Sequence, residues 1–287
     1  MNINKSLLMI LSVILLLTGC QKSDDDGVSL NENKILKFIL QDYGIRGSID
    51  HDQNTILVEA GALVDLSSLR LMLVVSEGAT VMPSGDLPAD LTTPGSFTVV
   101  SGNGVSRTYN VTARQYTDTA LLIVDLQNGF FPFYRDDSVV ISTRTLIDKA
   151  RNAEKHVIFI QTDYTSPTGE PDSPIGTWKF DMPGSLDPRP DDLYVTKWGQ
   201  DSFDRSTKLI QVLNDHELGS LVVCGIATQA CVNGTIEGGL KLGYRIIVAG
   251  DAHSSYDPYA QQRIDAHNNT IWPEMGAIIN FSSGIEF

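Results

Sequence analysis

Cys231 follows Gly225-Ile226-Ala227-Thr228-Gln229-Ala230, between an apolar run and a run with helical spacing. A cysteine at a strand-to-helix junction has a chemical use. The helix start supplies unpaired N–H groups and a positive dipole end. Both favour thiolate over thiol, and the thiolate is the nucleophile. Lys197 ends another apolar run and would lower the thiol pKa through its opposite charge. Asp125 ends a third run and can take the thiol proton, then return it to a leaving amine. Backbone N–H groups in the turn can hold a developing oxyanion. A nucleophile, a proton carrier and a cation are what amide cleavage through a thioester needs. Taken singly, each has an ordinary role: a cysteine packs a core, a strand-end aspartate caps a helix, a lysine is solvated.

These residues need a scaffold that brings them together. Ala120-Leu121-Leu122-Ile123-Val124-Asp125 is continuously apolar up to its final acid, as in a parallel strand covered on both faces. Similar runs occupy 156–163, 193–197, 220–225, 244–249 and 276–280. Helical spacing fills 139–154, 205–216, 228–242 and 259–272. The alternation predicts a doubly wound α/β domain over 118–287, with a mostly parallel six-stranded sheet and helices on both faces. Ligands bind beyond the carboxyl ends of such strands. Asp125, Asp163, Lys197, Gly225 and Asp251 all end predicted strands, so the topology brings them to one rim.

Three segments resemble the isochorismatase-like cysteine hydrolases. They are Ala120-Leu121-Leu122-Ile123-Val124-Asp125-Leu126-Gln127-Asn128-Gly129-Phe130-Phe131, Val195-Thr196-Lys197-Trp198-Gly199-Gln200-Asp201-Ser202-Phe203 and Cys224-Gly225-Ile226-Ala227-Thr228-Gln229-Ala230-Cys231-Val232. Gly250-Asp251-Ala252 and His267-Asn268 fit the later elements. The resemblance spans about 118–285 in order. It implies an Asp-Lys-Cys triad of Asp125, Lys197 and Cys231, and a non-proline cis peptide at Ile226-Ala227. It also implies an oxyanion hole from the backbone N–H groups of Ala227 and Cys231, and a substrate pocket that includes Phe130. Thr228 and Trp178 are further pocket candidates, although a loop tryptophan equally often plugs a core. Cys224, inside a strand, reads as a packing residue.

Departures from the family pattern bear on metal chemistry. The resemblance implies that metal-binding nicotinamidases carry an aspartate at the second strand end, a histidine two residues later and another downstream. Asp163 fits the first position, but Thr165 stands at the second, and no histidine lies between His156 and His216. One carboxylate is too few ligands for a tight transition-metal site. No metal and no cofactor is expected. The loop 166–192, rich in Pro and Gly, reads as a lid or pocket wall. His253 is expected near the rim, and His267 as a capping or packing residue.

The first half of the chain has a different character. Lys5 precedes an apolar stretch over 7–17, too short for a confident membrane span, and Leu17-Thr18-Gly19-Cys20 follows. This resembles a bacterial lipobox. It implies a signal peptide over 1–19, lipidation of Cys20, and localisation on the cell envelope at the outer membrane. Residues 20–29 include Asp24-Asp25-Asp26, which stay solvated as an acidic tether and resemble a surface-export signal. Short β-prone runs at 34–40, 55–59, 71–75, 96–100 and 106–113 predict a small all-β sandwich over 30–116. It resembles immunoglobulin-like modules and serves as a spacer or a glycan-binding unit. The stretch 99–111 reads as a hairpin.

The net charge of −14 excludes nucleic acid as a natural partner. The expected partners are a small-molecule substrate and the membrane, with a homo-oligomer through the α/β domain left open. The leading expectation is hydrolysis of a small amide or ureido C–N bond. The alternatives are a catalytically silent binding or assembly protein on the same fold, and an isochorismatase-type enol-ether hydrolase.

Overall fold

The computed structural model describes residues 30–85, 88–130, 137–169, 171–204, 206–255 and 258–287. Cys20, the signal segment and the whole acidic tether lie outside them. Among the described residues no helix is long and apolar enough to cross a membrane.

The β-rich unit packs two sheets. One contains β1 (Ile35–Leu40), β2 (Ile45–Arg46) and β5 (Leu71–Val75), in the order β2-β1-β5. The other contains β3 (Ser48–Asp50), β4 (Thr55–Ala60), β6 (Thr80–Met82), β7 (Gly95–Val100) and β8 (Ser106–Gln115), in the order β3-β4-β8-β7-β6. Alternate residues of β4 turn inward, so Ile56, Val58 and Ala60 are buried. Phe38 of one sheet meets Phe97 of the other edge to face at 5.5 Å. The expected hairpin is present, with Val100 paired to Ser106. The segment 78–85, where the sequence predicts no strand, contains β6, in which Val81 pairs with Val99. Three residues between glycines and a proline are too few for alternation to show.

The α/β unit is a six-stranded parallel sheet. Its strands are β9 (Asp118–Val124), β10 (Val157–Thr162), β11 (Leu193–Lys197), β12 (Leu218–Ile226), β13 (Arg245–Ser254) and β14 (Ile278–Asn280). The order is β11-β10-β9-β12-β13-β14. Leu121 and Ile123 pack with residues of α1 (Asp137–Asn152). Ala120, Leu122 and Val124 pack on the other face with α2 (Leu209–Asp215), α3 (Asn233–Lys241) and Trp272. Both faces of β9 are thus covered, which is why its sequence does not alternate. The chain starts mid-sheet, steps out through β10 to β11, and returns on the other flank at β12. The winding direction reverses between β9 and β12, and a crevice opens there.

Three expected helices differ, the first being the run 205–216, of which only Leu209–Asp215 is helical among the described residues. The run 228–242 begins as a π turn, Thr228–Val232, before α3, with the Val232 N–H donating to Ala227 C=O at 3.2 Å. The run 259–272 divides into α4 (Ala260–Ala266), a π turn (His267–Ile271) and α5 (Trp272–Met275). One widened turn barely alters hydrophobic spacing, so the pattern does not disclose it. β13 continues past its expected end at Ala249, because the chain bulges. Val223 pairs with Val248, but Gly225 pairs with His253.

The units meet backbone to backbone. The Ala62 N–H donates to Gly219 C=O at 3.2 Å, and the Leu63 N–H to Gly243 C=O at 2.8 Å. A Cβ on Gly219 would lie 1.7 Å from the Tyr116 carbonyl oxygen, so only glycine fits there.

Candidate active site

Asp125 follows β9 with a φ of 54°, so its side chain leaves the sheet rim rather than continuing the strand alternation. Lys197 ends β11 two strands away, with Thr162 of β10 in register beside it. Its side chain is fully buried, and its ammonium lies 2.8 Å from the Asp125 carboxylate. The same ammonium donates to the Gly199 carbonyl at 2.7 Å. The Cys231 thiol hydrogen-bonds with both side chains, so the three expected residues form one cluster. Cys231 is half-buried, whereas Asp125 and Lys197 are buried.

Burial opposes the charge on Lys197, but Asp125 and Cys231 outweigh it and hold the ammonium above its ordinary pKa. Burial raises the proton affinity of Asp125 against the pull of Lys197. The expectation of a resting thiolate is corrected. Burial, then the Asp125 charge, pushes the Cys231 thiol up to about 12 despite Lys197. The helix-start argument also weakens, because Cys231 sits within the π turn and α3 begins at Asn233.

The turn that carries Cys231 is held from behind. The peptide Ile226-Ala227 is cis, and Gly225 has a φ of 123°. A Cβ on Gly225 would come 2.1 Å from the Val124 carbonyl oxygen. The Thr235 hydroxyl donates to Cys231 C=O at 2.7 Å and accepts from the Ser202 hydroxyl at 2.7 Å. Thr228, expected to line the pocket, is fully buried, and its hydroxyl lies 2.9 Å from His253 Nδ1. Asn268 donates through its amide nitrogen to Gly250 C=O at 2.9 Å, so its oxygen faces His253 Nε2, also at 2.9 Å. The network therefore puts the His253 proton on Nε2 and makes Thr228 the donor to Nδ1. Sequence placed His253 near the rim but gave no signal for this relay, which joins three separate elements.

Burial holds His253 neutral, lowering its pKa to about 4. An unfolded histidine binds its proton near pH 6.5, above the folded value. His253 thus contributes stability that is complete above about pH 6.5 and lost as pH falls toward 4. We expect wild type to lose about 3 kcal/mol more than His253→Gln between neutral pH and pH 4. Equal losses in parallel denaturant melts of the two proteins would disprove the assignment.

Side-chain amides tie the 166–192 loop to the sheet. Gln127 Nε2 donates to Phe180 C=O at 2.9 Å, and Gln161 Nε2 to the same oxygen at 3.0 Å. Asn128 Nδ2 donates to Trp178 C=O at 2.9 Å. Phe130, half-buried, packs against the core on the α1 face. Trp178 is 70% exposed, so it does not plug the core. Asp163 serves the loop as well: its carboxylate accepts the Ile175 N–H at 3.0 Å and the Trp198 indole N–H at 3.2 Å. Among the described residues no group of three His, Cys, Asp or Glu is placed to hold a metal. Asp251 does not join the cluster of Asp125, Lys197 and Cys231. It accepts from Ser282 and Ser142 and secures the C-terminal segment. Cys224 is fully buried, and both it and Cys231 are free thiols. His267 packs on Trp272 and contacts Arg263 C=O at 2.7 Å, as expected of a packing residue.

A reactive side-chain cluster beyond the switch point of a parallel sheet defines an α/β domain of the enzyme type. The isochorismatase domain profile matches residues 119–269, and the chain belongs to that family. Residues 35–113 match a second profile, described as SGBP, N-terminal. A streptothricin hydrolase of Streptomyces noursei is 34% identical over 146 residues, covering 48% of this chain and 55% of that protein. The chain thus spans about half the length of that relative. The ureidoacrylate amidohydrolase RutB of Stutzerimonas stutzeri is 28% identical over 188 residues, covering 52% of this chain and 75% of that one. A crystal structure of a cysteine hydrolase from Pseudomonas syringae pv. phaseolicola superposes with a TM-score of 0.52 at 23% identity. It covers 57% of this chain and 89% of that one, and shows the shared fold.

Proposed function

We propose that Cys231, Asp125 and Lys197 cleave a small amide or ureido C–N bond through a thioester. The observation that carries this is the thiol hydrogen-bonded to a buried carboxylate whose charge is balanced by an ammonium 2.8 Å away. A thiol that rests protonated needs its base in place, and Asp125 is that base. As sulfur attacks the carbonyl carbon, the thiol proton passes to Asp125. Lys197 stays charged throughout, so the buried pair never carries net negative charge. The N–H groups of Ala227 and Cys231 receive the oxyanion. Collapse expels the amine, which takes the proton from Asp125. Water then gives a proton to Asp125, attacks the thioester, and releases the acid as the thiol is restored. The names of the two relatives, a streptothricin hydrolase and a ureidoacrylate amidohydrolase, support amide or ureido substrates.

The test is acid quenching during turnover of an amide panel, followed by intact-protein and peptide mass spectrometry. We expect an acyl adduct on the peptide containing Cys231. Turnover with no adduct in rapid-quench time points, or an adduct elsewhere, would sink the thioester route.

A further inference from the structure

The turn that carries Cys231 runs in π form from Thr228 to Val232, and buried side chains hold both of its ends. At the first end the Thr228 hydroxyl meets His253 Nδ1 at 2.9 Å. The His253 ring stands edge to face on Trp272, with centroids 4.8 Å apart. The Trp272 indole N–H then donates to Asn233 Oδ1 at 3.0 Å, just past the other end. The Asn233 amide is oriented for this, because its nitrogen donates to Glu237 at 2.7 Å. Thr228 and Trp272 are fully buried and His253 is 2% exposed, so water offers these groups no substitute partner.

The form of the turn decides what the Cys231 amide can do. In an α turn the Cys231 N–H would donate to the carbonyl four residues back, which belongs to Ala227. Here that carbonyl accepts from the Ala230 N–H at 3.0 Å and the Val232 N–H at 3.2 Å. One bond falls short of the α position and the other passes beyond it. Both lone pairs of the oxygen are taken, and the Cys231 N–H is spared. A π turn is rare, so its neighbours must hold it. Tightening to α form would draw Thr228 and Asn233 out of register with His253 and Trp272. A buried polar network is often no more stabilising than apolar packing of the same shape, so fold stability alone does not account for this one.

We propose that His253 and Trp272 are positioning residues that keep the turn in π form, so that the Cys231 N–H stays available to the oxyanion. The inference rests on the thioester reading above. Both rings act through the turn, by way of Thr228 and Asn233.

Treating the full chain with p-nitrophenyl acetate and, separately, with iodoacetamide distinguishes this role from a merely structural one. In the first reaction sulfur bonds the carbonyl carbon, its proton passes to Asp125, and p-nitrophenolate leaves through an oxyanion intermediate. In the second sulfur displaces iodide and no oxyanion forms. Thr228→Val keeps the shape of the side chain and removes its hydroxyl. It should slow acetylation of Cys231 about 100-fold, the usual loss for one oxyanion donor, and leave alkylation within about twofold of wild type. Thr228→Ser should restore most of the acetylation rate. Should Thr228→Val fail to fold, adding His253→Leu removes both partners of the bond, strands neither, and carries the same comparison. Acetylation at the wild-type rate in the folded variant overturns the proposal. So do equal losses in acetylation and alkylation, which would mean that the sulfur itself has moved. No acetyl group on wild-type Cys231 would overturn the thioester reading, and this proposal with it.

Discussion

Cys231→Ala should lower kcat by about four orders of magnitude or more on any amide the wild type hydrolyses, with little change in Tm. The size of the effect follows from what remains. Asp125 and Lys197 keep their ion pair, and the oxyanion donors keep their positions. No side chain can then form the acyl intermediate, so water would have to attack the amide directly. The small stability change follows from exposure: Cys231 is half-buried, so losing the sulfur leaves no sealed cavity. Cys231→Ser sharpens the comparison. A hydroxyl gives up its proton far less readily than a thiol, and Asp125 is a weak base even after burial raises its proton affinity. The serine variant should therefore stay near the alanine variant. Steady-state rates on one substrate decide it, and a variant within tenfold of wild type would remove Cys231 from the chemistry.

The parts of this site legible in sequence were those fixed by strand ends. A buried parallel strand announces itself as an unbroken apolar run, and its last polar residue marks the rim. That logic located Asp125 and Lys197, and the junction after β12 located Cys231. It failed at Asp251, because β13 bulges and carries that carboxylate away from the Asp125–Lys197–Cys231 cluster to hold Ser282. It also gave the wrong resting state for the thiol. Sequence can place a cation near a cysteine, but the balance between that cation and burial depends on how much water the fold excludes. The relay from Thr228 through His253 to Asn268 was invisible for a related reason. Each member has an ordinary local context, and only tertiary packing aligns their donors and acceptors. Gln127 and Asn128 show the reverse case. They lie within a segment that resembles the family, yet their work is to hold the loop at Phe180 and Trp178, which no local pattern encodes.

Lys197→Met should destabilise the fold by about 3–5 kcal/mol at neutral pH, the usual cost of stranding one member of a buried pair. Methionine fills similar space, so lost volume contributes little. The cost lies in Asp125, which is 2% exposed and would face burial without its balancing charge. The pH dependence identifies that origin. Burial already pushes Asp125 up and Lys197 opposes it, so removing the lysine sets the folded pKa well above the unfolded value of about 4. A carboxyl with its folded pKa raised contributes stability below the unfolded value and loses it as pH rises toward the folded one. The penalty in Lys197→Met should therefore be small near pH 4 and grow toward neutrality. His253 titrates in both proteins and cancels in the difference. Adding Asp125→Asn should recover most of the loss, since an amide carries no charge to strand. Urea melts of the four proteins across pH measure this cycle. A penalty that is flat with pH, or untouched by Asp125→Asn, would mean that Lys197 supports the fold through packing and not through Asp125.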